Sequence, residues 1–204
     1  MPKILYIIRH GETDLNARGI VQGRGIDSDL NDTGRAQGAA FYELYKNISF
    51  DHLYTSTLKR THQTVKGFIE KGLPWTQLAG LDELAWGIWE GKEGSEASIS
   101  AFRDMVERWQ AGDYTARFEG GESPEEVELR LREAMDTIIS ATDEETVLIC
   151  MHGRAMRLLL CILMSKPLAE MADFPHQNTT LYKLSYADGV FDIIDFNNTD
   201  HLSS

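Results

Sequence analysis

Two stretches of the chain are apolar without interruption, and both end in histidine followed by glycine. Ile4, Leu5, Tyr6, Ile7 and Ile8 form a β-favouring run that stops at Arg9-His10-Gly11, and Thr146 to Met151 forms another that stops at His152-Gly153. A strand that is apolar on both faces belongs in a parallel sheet covered by helices on either side. Elsewhere the apolar positions recur every three or four residues. Ala36, Ala39, Ala40 and Leu44 predict a helix over Thr33 to Leu44, and Val65, Phe68 and Ile69 predict one over Thr57 to Lys71, with a short strand, Asp51 to Thr55, between them. Phe102, Met105, Val106 and Trp109 mark a third helix, Ser98 to Ala111, flanked by hinge-like glycines at Gly91, Gly94 and Gly112. At Ser123-Pro124-Glu125-Glu126 an N-cap serine, a proline at the first helical position and a capping-box glutamate start a fourth, whose inward stripe is Val127, Leu131, Ala134 and Ile138. Ala155 to Met164 reads as an apolar helix, and Tyr182 to Tyr186 with Val190 to Phe196 flank Asp188-Gly189 as a hairpin. The alternation predicts an α/β chain, a single-domain three-layer α/β/α sandwich with a mostly parallel sheet and an antiparallel edge.

Length and composition agree with one domain. The 204 residues match the usual size of roughly 100–200, and 42% hydrophobic with 25% charged residues is enough to bury a core and excludes a disordered tail. Charge narrows the partners. A net charge of -12 repels phosphate backbones and anionic lipid, so nucleic acid and membrane are not expected, and a small molecule is. Cys150 and Cys161 lie in apolar stretches without C-x-x-C spacing, which reads as buried free thiols in a reducing cytoplasm. Neither Ile4 to Ile8 nor Leu158 to Met164 is long enough for a signal-peptide core or a membrane span, so a cytoplasmic location is expected. The oligomeric state stays open, a homodimer included.

In doubly wound sheets ligands bind beyond the carboxyl ends of the strands, so His10 and His152 are both placed for chemistry if their strands are neighbours. Arg9 and Arg60 add the forked cationic donors that a phosphate dianion requires. A unit charge pair at 4 Å is worth roughly 4 kcal/mol at an effective dielectric near 20, so local cations can overcome an acidic exterior.

Arg9-His10-Gly11-Glu12-Thr13 followed by Asn16 resembles the signature of the histidine phosphatase superfamily, which includes the cofactor-dependent phosphoglycerate mutases. Gln22-Gly23, Leu30 with Thr33-Gly34, Ser56-x-Leu58-x-Arg60-Thr61, Glu83 with Gly87 and Glu90-Gly91, Gly120-Gly121-Glu122-Ser123, and His152-Gly153 follow in the family's order. Six ordered motifs are hard to obtain by chance. The resemblance implies that His10 attacks phosphorus and becomes a phosphohistidine, while Arg9, Arg60 and His152 hold the phosphoryl oxygens. It implies that Glu83 donates a proton to the leaving alkoxide, a role favoured by phosphate's like charge beside a carboxyl. Asn16, Thr13, Gln22, Gly23 and Gly153 would line the substrate pocket, Glu12 would support the loop, and no metal or cofactor is required. Asn178 could reach the site or simply start a strand.

His52, His62, His176 and His201 lack a strand-end context and read as surface or satisfied histidines; Trp75, Trp86, Trp89 and Trp109 read as core or pocket wall. Leu15, Met151 and Arg154 depart from the common family pattern, which bears on pocket shape and on substrate. Mutases of the family carry a longer, basic insertion after the general acid. Here the corresponding lid, residues 92–119, is short and holds four basic against six acidic residues. A phosphatase acting on small phosphomonoesters is therefore expected. The alternatives are a cofactor-dependent phosphoglycerate mutase and a catalytically silent phosphate-binding module.

Overall fold

The apolar run near the start becomes the middle of a sheet because helices claim both of its faces. In a computed structural model describing residues 2–203, the strands are β1 (Lys3–Arg9), β2 (His52–Thr55), β3 (Trp75–Gln77), β4 (Thr146–Met151), β5 (Leu181–Ala187) and β6 (Val190–Asn198). They lie in the order β3-β2-β4-β1-β5-β6, the first four in space parallel and the last two antiparallel to their neighbours. Successive residues of a strand point to opposite faces. Leu5 and Ile7 of β1, with Val147 and Ile149 of β4, join the core under α6 (Pro124–Ser140) and α7 (Gly153–Leu163). Tyr6 and Ile8, with Leu148 and Cys150, join the second core under α2 (Asp32–Tyr45) and α4 (Lys66–Glu70). The expected three-layer sandwich and antiparallel edge are both present. No helix among the described residues is long and apolar enough to cross a membrane.

The strong local signals land where the residues require. Ser123 caps α6, accepting from Glu126 N at 3.3 Å while the Glu126 carboxylate takes the Ser123 N–H at 2.8 Å. Asp188 and Gly189 take φ of 51° and 83°, the left-handed pair of a tight hairpin. Three expectations need correction. The stripe of Ala36, Ala39, Ala40 and Leu44 is not the inward face of α2, which buries Gly34, Gly38 and Phe41 instead. The helix expected over Thr57 to Lys71 is two, α3 (Lys59–Thr64) and α4, broken at Val65. At the break, the Thr64 hydroxyl takes the Gly11 N–H at 2.8 Å and Gly38 of α2 presses on the Thr64 carbonyl, so tertiary contacts override the local period. Trp75 is neither core nor pocket wall; it stands on the short edge strand β3, 37% exposed, its indole donating to Thr55 Oγ1.

Strand order decides where chemistry can occur. Inserting β4 between β1 and β2 sets three parallel carboxyl ends side by side, with Arg9 paired to Met151 and Thr55 to Cys150. The residues that follow, His10, His152 and Ser56, therefore emerge together.

Candidate active site

Beyond β1 the chain turns along the carboxyl edge of the sheet and is fixed there by close backbone packing. His10 N–H donates to Met151 O at 3.0 Å. A Cβ on Gly34, at the start of α2, would lie 2.0 Å from the Glu12 carbonyl, so only glycine lets the loop settle on the helix. Thr13 then caps the short α1 (Asp14–Ala17): its hydroxyl accepts from Asn16 N at 3.1 Å and from Gln22 Nε2 at 2.6 Å. Glu12 accepts from Asn31 Nδ2 at 2.8 Å and supports the loop. Asn178 donates from its amide to His10 O at 3.1 Å and to Asn16 Oδ1 at 3.3 Å, which ties the entry to β5 to the same loop.

The two imidazoles face one another, ring centroids 5.1 Å apart, and each has its tautomer dictated by a neighbour. His10 Nδ1 lies 2.7 Å from the Gly11 carbonyl, which can only accept, so the proton sits on Nδ1 and the Nε2 lone pair is free. His152 Nδ1 accepts from Arg60 Nε at 3.2 Å, so its proton sits on Nε2 and goes to Ser56 Oγ at 2.7 Å. Burial holds both rings far below the ordinary imidazole range, helped for His10 by Arg60 and Arg9 and for His152 chiefly by Arg60. Both are neutral at physiological pH.

The cations come from separate elements. Arg60, fully buried on α3, also donates to Ile26 O at 2.7 Å and to Gly23 O at 3.3 Å. Arg9 donates to His176 Nδ1 at 3.1 Å, while its Nε is buried with no hydrogen-bond partner. Burial pushes the Arg9 guanidinium down to about 10, the Glu83 carboxylate opposing it, so it stays charged at neutral pH. Glu83 is anchored by backbone amides: Leu84 N and Ala155 N to Oε1, each at 2.9 Å, and Arg154 N to Oε2 at 3.0 Å. Arg130 holds the segment before it, donating to the carbonyls of Gly80 and Asp82 at 2.8 Å.

Arg9 and Glu83 border a cavity of about 260 Å³. Arg9, Asn16, Gln22, Glu83 and Gly153 line it, with Trp86 as an aromatic wall; His10, Arg60 and His152 are buried against that lining, 3%, 0% and 0% exposed. Thr13 is fully buried and reaches the lining through Asn16 and Gln22, and Gly23 meets the site through its carbonyl on Arg60. A Cβ on Gly153 would stand 2.7 Å from His176 Cε1 and 3.2 Å from Arg9 Nε, so the glycine lets α7 start close against both side chains. Trp109 is core, its indole donating to Ala116 O at 2.9 Å.

His176, Phe102 and Arg154 also line the cavity. His176 is satisfied, as expected, but by Arg9 and at the cavity wall. Burial first, then Arg9, Arg157 and Arg154, press its imidazole down to about 3. No local signal gave it: β5 runs antiparallel to β1 with Leu181 opposite Ile8, so the residues entering β5 return to the carboxyl end of β1, a pairing the Asp188-Gly189 hairpin does not specify. His201 is buried away from the cavity, its Nε2 bonded to Thr179 Oγ1 at 3.0 Å and its Nδ1 without a partner. No cluster of His, Cys, Asp and Glu among the described residues is arranged to hold a metal.

The buried neutral histidines predict an acid limit to stability. His10, His152 and His201 have folded values below the unfolded one near 6.5, so their contribution is present above that pH and is lost as pH falls through it. Each withdraws up to about 1.4 kcal/mol per pH unit below about 6.5. Urea midpoints should be level from pH 8 to 7 and fall steeply from 6.5 to 5; level midpoints down to pH 5 would contradict the neutral assignment.

Comparison with known proteins places this geometry. The family model for the histidine phosphatase superfamily (branch 1) matches residues 5–199. The chain is 38% identical over 146 residues to mouse fructose-2,6-bisphosphatase TIGAR, covering 68% of this chain and 52% of that protein; it thus spans about half the length of this relative. It is 29% identical over 187 residues to a probable phosphoglycerate mutase GpmB of Yersinia pestis, covering 89% and 84%. The solved structure of Bacillus stearothermophilus YhfR superimposes with a TM-score of 0.84 at 28% identity, covering 98% of this chain and 99% of that one. With its matched length and its ordered fold, the chain belongs to the histidine phosphatase superfamily.

Proposed function

We propose that this chain is a phosphomonoesterase that hydrolyses small phosphorylated metabolites through a covalent phosphohistidine on His10. One observation carries the reading: a neutral histidine with its Nδ1 proton anchored, and so its Nε2 lone pair free, next to the buried, unpartnered Nε of Arg9. That is a nucleophile beside an anion donor. In this scheme Arg9 and Arg60 take the non-bridging oxygens, Arg60 with the N–H groups that His152, Ile26 and Gly23 leave free. Nε2 attacks phosphorus as the bond to the leaving oxygen breaks, and the Glu83 carboxyl gives that oxygen its proton. Glu83 then takes a proton from water, whose oxygen attacks phosphorus, the P–N bond breaks, and inorganic phosphate leaves. Charge stabilisation by fixed donors is the main contribution expected of the protein.

Water as the acceptor is supported by how the cations of residues 92–119, the proposed lid, are used. Arg108 pairs with Asp113 at 2.6 Å, Arg117 pairs with Glu126 outside the lid, Arg103 donates to Ser100, and Lys92 sits over Trp89. The lid gives the cavity Phe102, an apolar wall. A cavity of about 260 Å³ lies at the foot of the roughly 300–1,000 Å³ usual for ligand sites, which suits a small ester.

The test is release of inorganic phosphate from small phosphomonoesters without added 2,3-bisphosphoglycerate. Steady release is expected, unchanged by chelator. Isomerisation of 3-phosphoglycerate that depends on the bisphosphate primer, with no net phosphate released, would favour the mutase instead.

A further inference from the structure

Arg154 is the residue of the cavity that the phosphoryl chemistry leaves unused. Its backbone N–H anchors Glu83, but its side chain runs the other way, over the faces of Trp86 at 5.4 Å and Trp109 at 5.7 Å. Among the described residues its guanidinium donates only to Met171 Sδ, at 3.2 Å, a weak acceptor. The side chain lines the cavity, and no carboxylate is bonded to it among the described residues.

Other arginines around the site are committed elsewhere, Arg9 and Arg60 to the phosphoryl oxygens in the scheme above. Arg60 has three protein acceptors, Arg130 pairs with Glu122 at 2.9 Å, and Arg157 donates to Met171 O at 2.6 Å. A guanidinium near two indole faces, with a thioether as its one protein acceptor among the described residues, keeps N–H donors to spare, and its planar fork suits a carboxylate or phosphate. It stands on the Glu83 side of the cavity, where the leaving group of an ester on His10 would lie.

Resting on the phosphomonoesterase reading, we propose that the substrate is an ester whose alcohol carries a second anionic group, a carboxylate or a second phosphate, and that Arg154 binds it. The fork then recognises the leaving half of the substrate, while Arg9 and Arg60 recognise the half that stays. Specificity and catalysis are thereby divided between neighbouring positions, Gly153 opening space for Arg9 and Arg154 reaching under the lid.

The experiment compares kcat/KM for two matched pairs: phosphoglycolate with 2-hydroxyethyl phosphate, and propane-1,3-diol bisphosphate with 3-hydroxypropyl phosphate. Wild type should prefer at least one anionic member by about 10- to 100-fold, as one charged, forked hydrogen-bonding contact implies. Whichever pair shows it identifies carboxylate or phosphate as the partner. Arg154→Met should bring that ratio close to one, mainly through KM of the anionic ester, and Arg154→Lys should restore part of it. A wild type that turns over both members of each pair alike, or a preference that survives Arg154→Met, would overturn the assignment of Arg154. Absence of turnover on all four esters and on p-nitrophenyl phosphate would instead overturn the phosphomonoesterase reading beneath it. A wild type without preference overturns the assignment before any variant is made, and the partial return of the ratio in Arg154→Lys separates loss of the fork from loss of the fold.

Discussion

Replacing His10 by alanine is expected to lower turnover by at least about 10⁴-fold, the scale seen when a covalent nucleophile is removed. The reason lies in how the remaining imidazoles are committed. His152 has Nδ1 on Arg60 and Nε2 on Ser56, and His176 Nδ1 is held by Arg9, so neither offers a free lone pair in the place of His10 Nε2. The cations are untouched by the change. His10→Ala should therefore still bind inorganic phosphate or vanadate, and a trapped phosphoenzyme, acid-labile and base-stable, should form with wild type and not with the variant. Turnover above a few per cent of wild type in the folded variant would remove His10 from the nucleophile's role.

Glu83→Gln should separate substrates by leaving group. General acid catalysis contributes typically 10²–10⁴-fold, so 2-hydroxyethyl phosphate should slow by about that factor. p-Nitrophenyl phosphate, whose leaving group departs without a proton, should slow by less than about tenfold. The substitution keeps the shape of the site. The glutamine carbonyl can occupy the Oε1 position and keep the N–H groups of Leu84 and Ala155, leaving only the contact to Arg154 N facing an amide. Equal losses on both esters would mean that Glu83 positions α7 and moves no proton.

The core strands and the caps were legible because each depends on neighbours in sequence. Continuous apolar runs announced β1 and β4, and Ser123-Pro124 with Glu126 announced α6, since burial on both faces and an unsatisfied helix start leave few other solutions. What stayed hidden depends on contacts between distant segments. The break at Val65 follows from Thr64 meeting Gly11 and Gly38, and β3 is three residues long with no period to show. His10 and His152 could be paired from their strand ends alone. His176 could not, because its place follows from β5 lying against β1, a pairing that the hairpin signal does not specify. Arg154 was visible as a departure from the family pattern, but its resting place over Trp86 and Trp109 was not.

The insertion of β4 between β1 and β2 also governs when the protein can come into being. A nascent chain that has emerged from the ribosome through Glu145 holds the two outer members of a trio whose middle member has not yet been made. Its two apolar cores are each missing their central rib. Closing so distant a pairing is slow compared with forming local hairpins. Residues 2–145 must therefore wait, their cores open, for the six residues of β4, and the strand-end cluster of His10, Ser56 and His152 assembles only once those residues have been made.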